Sequence, residues 1–250
     1  MLKRNIGFIA AALSLTMSHN SQAGWLDFFI DVVEEASNNG GAEIAKSALT
    51  NSEVVSGLKE ALANGVESAI KSLGQPGGFL GNKLVEIAVP DSLNSIATTA
   101  RTLGQGQYVD SFEKTMNQAA EKAVPEAAEI LANAIRQMSV DDAVNILNGP
   151  DDAATQYFRK VSEASLTERL KPIISQATNQ AGVTAAYKEL AGHATPFLGG
   201  LMEDSALDLD QHVTKQSLDG LFKYIAVEEK SIRDNPTART TDILKKVFSK

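Results

Sequence analysis

Residues 50–74, TNSEVVSGLKEALANGVESAIKSLG, decide the fold class. Thr50-Asn51-Ser52-Glu53 has the spacing of a capping box, in which the Thr50 hydroxyl takes the Glu53 amide hydrogen and the Glu53 carboxylate reaches back. Behind it Val55, Leu58, Leu62, Val66, Ala69 and Leu73 recur every three or four residues, the period that lines one face of an α-helix. Gly74 and the Gln75-Pro76-Gly77-Gly78 run stop the helix.

Outward from this helix the same grammar repeats. Asp91 or Ser92 caps a helix carrying Leu93, Ile96 and Leu103. Tyr108, Phe112, Met116, Ala120, Ala123, Ala127, Ile130, Ala134 and Met138 keep the helical spacing across Pro125, so this stretch is either two helices meeting at Val124 or one bent helix. Its small residues let another helix come close, which makes it a candidate for the centre of the bundle. Ser139-Val140-Asp141-Asp142 starts a further helix with Val140, Ala143, Val144 and Leu147 inward, and Gly149-Pro150 stops it. Asp151 or Asp152 starts the next, through Tyr157, Phe158 and Val161. Ser165-Leu166-Thr167-Glu168 reads as another capping box, opening a helix that Pro172 bends and Gly182 closes. Val183, Tyr187 and Leu190 mark one more. A last long helix spans Asp210 to about Asp234, with Val213, Leu218, Leu221, Phe222, Ile225 and Ala226 inward, and Asn235-Pro236 breaks it. Thr240 or Thr241 caps a terminal helix carrying Ile243, Leu244, Val247 and Phe248.

Only Leu84-Val85-Glu86-Ile87-Ala88-Val89, β-branched and ended by Pro90, departs from the helical pattern; it reads as an extended segment that pairs briefly or crosses the surface. The expectation is therefore an all-α, single-domain multi-helix bundle with at most one short extended pairing near residues 84–89.

The first 23 residues have the three parts of a secretory signal. Lys3 and Arg4 form the basic region, Ile6 to Met17 the apolar run, and Ser21-Gln22-Ala23 the small-x-small cleavage site, so the mature chain is expected to start at Gly24 in the periplasm or outside the cell. About 12 mostly apolar residues fall short of the roughly 20 that cross a bilayer. Residues 24–49 then form an apolar helix and connector, and 50–250 one helical domain. With no cysteine, neither a disulfide nor a lipoprotein anchor is available. A formal charge of −8, which becomes −10 once Lys3 and Arg4 leave, argues against nucleic acid as a partner.

Catalytic constellations fail one after another. The only histidines after the leader are His193 and His212, read as surface or capping residues; there is no Gly-x-Ser-x-Gly elbow and no cysteine nucleophile. Two histidines 19 residues apart make no zinc pattern, and Asp204, Asp208 and Asp210 lack the glycine and terminal glutamate of an EF-hand. Residues 74–81 lead into Asn82-Lys83-Leu84 rather than a phosphate-cradling Gly-Lys-Ser/Thr. Adjacent carboxylates Glu228 and Glu229 diverge by about 100° on a helix, so they do not face one bond, and Glu229 is placed to pair with Arg233. No metal and no cofactor is expected.

Two features remain. Trp25, Phe28 and Phe29, in Gly24-Trp25-Leu26-Asp27-Phe28-Phe29, make a candidate docking face, although Asp27, Asp31, Glu34 and Glu35 carry the wrong charge for an anionic bilayer, and core packing is the simpler role. The second is the string Glu228-Glu229-Lys230-Ser231-Ile232-Arg233-Asp234-Asn235-Pro236-Thr237-Ala238-Arg239-Thr240-Thr241-Asp242, continuing to Phe248. It resembles the C-terminal signature of a family of exported bacterial proteins designated domain of unknown function 4197. Gly57-Leu58-Lys59-Glu60-Ala61-Leu62, Met116-Asn117-Gln118-Ala119-Ala120-Glu121 with Pro125, and Ala153-Ala154-Thr155-Gln156-Tyr157-Phe158 resemble it in the same order, so the likeness covers about residues 52–248. Val85-Glu86-Ile87-Ala88-Val89-Pro90 departs from the family's Ile-x-Ile-Pro-Leu-Pro. The resemblance implies a compact helical domain and an export signal; it carries over no activity, ligand or catalytic residue.

Three functions follow as expectations. The first is a non-enzymatic periplasmic helical protein that binds an apolar small molecule or an envelope protein. The second is a hydrolase or lyase with a polar pocket near the Asn-Pro-x-Ala-Arg segment, its candidate groups being Thr155, Tyr157, Arg233, Asn235, Pro236 and Arg239. The third is a structural envelope factor docking through its N-terminal helix. Arg239 is expected first as a clamp at the helix break, bonded to freed carbonyls or to Glu228 or Glu229, and only second as a ligand group.

Overall fold

A computed structural model describes residues 51–194 and 208–234. Along the chain these form α1 (Asn51–Leu73), α2 (Asn94–Thr102), α3 (Gly106–Ala123), α4 (Ala128–Gln137), α5 (Val140–Asn148), α6 (Ala153–Ala181), α7 (Val183–Ala194) and α8 (Leu209–Asp234), with single 3₁₀ turns at Asp91–Leu93 and Val124–Ala127. The described residues are 83% helical against a typical third, and no strand occurs among them. The leader, Trp25, Phe28, Phe29, Thr50, Asn235, Pro236, Arg239 and the Ile243 to Phe248 stripe lie outside the described residues, as do the side chains of Glu53 and His193.

α6 and α8 run antiparallel, since Ala154 at the start of α6 meets Glu229 near the end of α8 and Thr178 meets Asp210. α3 packs on α6, and α1 on α8 and α4. Phe79, Phe112, Phe158 and Phe222 are fully buried in a core that reaches every helix. The alanine-rich stretch does lie at its centre, with Ala119, Ala120, Ala123, Ala127, Ala128 and Ala132 all buried. Of the two readings of Pro125, two helices is the one realised: α3 ends at Ala123, and Pro125 sits in the 3₁₀ turn before α4.

Several expectations need correction. Ser165-Leu166-Thr167-Glu168 opens no helix; α6 is continuous from Ala153 to Ala181, passes through Pro172, and ends on Gly182 with φ +76°. Ala154, Phe158, Leu166, Leu170 and Ile174 extend one buried file across the supposed box, and continuous burial outweighs a local capping signal. Thr167 Oγ1 bonds back to the Glu163 carbonyl instead. On α5 the buried residues are Ala143 and Ile146, while Val140 and Val144 are exposed, and on α6 Val161 is exposed too. Leu103 is exposed at the end of α2, and Asp91 and Ser92 belong to a 3₁₀ turn, so α2 starts later, at Asn94.

The 84–89 segment pairs with no strand and does not simply cross the surface. Val85, Ile87 and Val89 are buried and Ala88 is exposed, the alternation of a half-buried strand. Its ladder partner is a side chain. The Asn117 carboxamide accepts from Ile87 N–H at 2.9 Å and donates to the Ile87 carbonyl at 2.8 Å. One turn to either side, Glu113 accepts from Val89 N–H at 3.4 Å and Glu121 from Phe79 N–H at 3.1 Å. Residues 113, 117 and 121 share one face of α3, which presents a polar file to a loop backbone. Gly220 of α8 admits the same loop: a Cβ there would lie 2.8 Å from Phe79 Cε1 and 3.2 Å from Val85 Cβ.

Candidate functional site

Two polar sites lie on the α6/α8 seam. At the start of α6 the N-cap residue, Asp152, makes no side-chain capping bond, although the first N–H groups of a helix have no partner of their own. Glu229 supplies what Asp152 does not. Its Oε1 accepts from Ala154 N–H at 2.9 Å, and its Oε2 accepts from Thr155 N–H at 2.9 Å and from Thr155 Oγ1 at 3.0 Å. A carboxylate is well matched to the positive end of a 29-residue helix. Arg233, one turn further along α8, donates to Glu229 Oε1 at 2.9 Å and to the Ile146 carbonyl at 2.8 Å, tying in the end of α5.

The structure thus brings Thr155 and Arg233 together, through Glu229, whose pairing with Arg233 follows from their spacing. Glu228 turns away to accept from Ser68 Oγ at 3.0 Å, so the two adjacent carboxylates do diverge. Tyr157 belongs elsewhere: its hydroxyl donates to the Ala134 carbonyl at 3.3 Å, its ring meets Phe158 edge-on at 5.8 Å, and burial raises its phenol pKa. The space beside the Glu229–Arg233 pair, bounded by Leu58, Ala61, Leu62 and Ile232, is about 10 Å³, roughly one water. Chemically the cluster is a helix cap and a brace. The signal for it in sequence is weak, because Glu229 and Thr155 are 74 residues apart.

The second site went unread in the sequence. Midway along the seam a groove of about 250 Å³ lies between the two helices. Glu163, Thr167 and Lys171, four residues apart on α6, form one wall; Gln211, Thr214, Lys215 and Leu218 of α8 form the other. Each threonine hydroxyl donates to a carbonyl of its own helix, Thr167 to Glu163 at 2.7 Å and Thr214 to Asp210 at 2.6 Å. Glu163 is paired with Arg159 at 2.8 Å, and Arg159 also bonds Asp219 at 2.9 Å across the seam. No single helix announces such a groove; it arises only where two polar files are set opposite one another.

At the start of α8, His212 is half-buried with its Nε2 enclosed and without a hydrogen-bond partner. Burial lowers its pKa from the ordinary 6.5, a hydrogen bond to the Ala88 backbone and the Asp91 charge oppose this, and Lys215 adds to the lowering. It is neither a capping residue nor a plain surface one. No cluster of three His, Cys, Asp or Glu suited to a metal occurs among the described residues, and no described helix is long and apolar enough to cross a membrane.

The family model for a protein of unknown function, DUF4197, matches residues 48–249. The chain belongs to this family. The match takes in both polar sites of the DUF4197 chain and the Asn117 stripe of α3. No curated protein and no solved structure matches it.

Proposed function

We propose that the protein is a non-enzymatic helical binding protein, exported to the bacterial periplasm or beyond, that takes an apolar small molecule or a protein partner. The observation carrying this reading is the α6/α8 groove, a concavity with two opposed walls in which Leu218 is accompanied by the methylene stems and methyl groups of six polar residues, whose polar ends ring it. Export is supported by the three-part pattern of residues 1–23. A catalytic role for Thr155 and Arg233 is disfavoured, because both are committed to Glu229 and to backbone.

Native mass spectrometry of the protein isolated from its own cell envelope tests the reading. The expected spectrum shows a chain starting at Gly24 with a discrete adduct or a bound partner. A mass that retains Met1 overturns export. A bare chain that turns over a component of the same envelope extract overturns the binding role in favour of an enzyme.

A further inference from the structure

We propose that the α6/α8 groove binds a small single-chain amphiphile, a medium-chain carboxylate, with the head held between Lys171 and Lys215 and the tail against Leu218. This deepens the binding reading above and rests on it.

The donors left in the groove select the head. The Thr167 and Thr214 hydroxyl hydrogens are committed to carbonyls of their own helices, and Glu163 shares the Arg159 guanidinium with Asp219. What remains is the Gln211 carboxamide and two ammonium groups, one from each wall. Neither lysine forms an ion pair among the described residues, so in a chain of formal charge −8 Lys171 and Lys215, together with Arg159, outnumber Glu163 and Asp219 and leave the groove a small net positive charge. Ammonium groups donate and do not accept, so their natural partner is an acceptor-only anion. An amine or a neutral sugar meets no such match.

The cavity selects the tail. At about 250 Å³ it is smaller than the roughly 300–1,000 Å³ of drug-sized pockets, too small for a two-chain lipid or a partner helix. One short alkyl chain fits, lying against Leu218 and the methylene stems of the two lysines.

Calorimetry on the full chain with decanoate, decanol and acetate tests the assignment. Decanoate is expected to bind, and acetate at least about tenfold more weakly for want of the tail. Lys171→Met and Lys215→Met are each expected to weaken decanoate about tenfold, to leave decanol unchanged, and to unfold at the wild-type midpoint, because both lysines are exposed. Thr167→Trp, which fills the groove from an exposed position, is expected to abolish decanoate binding. Equal affinity for decanoate and decanol, indifferent to both lysine variants, overturns the carboxylate assignment while the binding reading stands. Decanoate binding that survives Thr167→Trp unchanged overturns the location. If no probe binds but envelope-derived protein carries an adduct, this inference alone falls; if no probe binds and that protein is bare, both fall.

Discussion

The α6/α8 seam is closed where α6 begins and open in its middle, and the two regions differ in what spans them. At the closed end polar groups reach across: Glu229 takes the first amides of α6, and Arg159 bonds Asp219 while lying 4.6 Å from the centre of the Phe222 ring. In the middle, among the described residues, no hydrogen bond or ion pair joins Glu163, Thr167 and Lys171 to Gln211, Thr214 and Lys215; the polar groups there bond within their own helix or to nothing. Beyond the opening Thr178 bonds Asp210 and the seam closes again. A groove can open between two packed helices where the contacts that join them lie on either side.

Removing the closure should break the comparison most. Glu229→Ala takes the shared carboxylate away from the Ala154 and Thr155 amides and from the Arg233 guanidinium, in a site where the Glu229 side chain is only 4% exposed and that of Arg233 14%. A loss of about 3–5 kcal/mol is expected in urea unfolding, the range for stripping one member of a buried ion pair. A change below about 1 kcal/mol would mean that Asp152 or water caps α6 equally well.

A smaller effect comes from the other side of α8. Gly220→Ala pushes a methyl into Phe79 and Val85; overpacking of this kind costs about 1–3 kcal/mol and the better helix propensity of alanine returns about 0.5–1. The net expectation is a loss of about 1 kcal/mol. A variant more stable than wild type would show that the loop can retreat.

The smallest effect is a pH response at the start of α8. The folded protein holds the His212 pKa below the ordinary 6.5, so the unfolded chain takes up the proton first. This contribution to stability is fully present above 6.5 and is lost as pH falls from there through the folded value. Asp142 and Asp151, whose pKa values are lowered from 3.8, contribute above that value and lose their contribution only in stronger acid. Unfolding midpoints should therefore drop as pH falls below about 6.5 in the wild type and stay level there in His212→Asn. An equal slope in both would assign the response to another group.

What could be read from the sequence was whatever repeats within one helix. The three-and-four spacing of Val55 to Leu73 and of Phe112 to Met138 fixed elements and buried faces, and Gly182 gave the end of α6. Local signals misled where tertiary burial overrode them: the Ser165–Glu168 spacing is a sound cap in isolation, yet Leu166 and Leu170 were needed inside. On α5 the expected stripe holds for Ala143 and partly for Leu147, but Ile146 is buried in place of Val140 and Val144, because a short helix offers two apolar stripes. Glu229 on Thr155, Asn117 on Ile87 and the facing lysines of the groove depend on which helices become neighbours, information that no local window carries.

Asn117 has a consequence for solubility. Residues 84–89 are the sort of short, β-prone, apolar run that recruits further chains into cross-β stacks when its backbone is free. Here most of the N–H groups are already taken. Leu84 N–H donates to the Asn82 side chain, Val85 and Glu86 N–H to the Asn82 carbonyl, Ile87 N–H to Asn117 and Val89 N–H to Glu113, and position 90 is a proline with no N–H to give. With the Ile87 carbonyl also held by Asn117, an incoming strand finds few N–H donors to pair with. A carboxamide on a neighbouring helix thus guards the chain against templated aggregation.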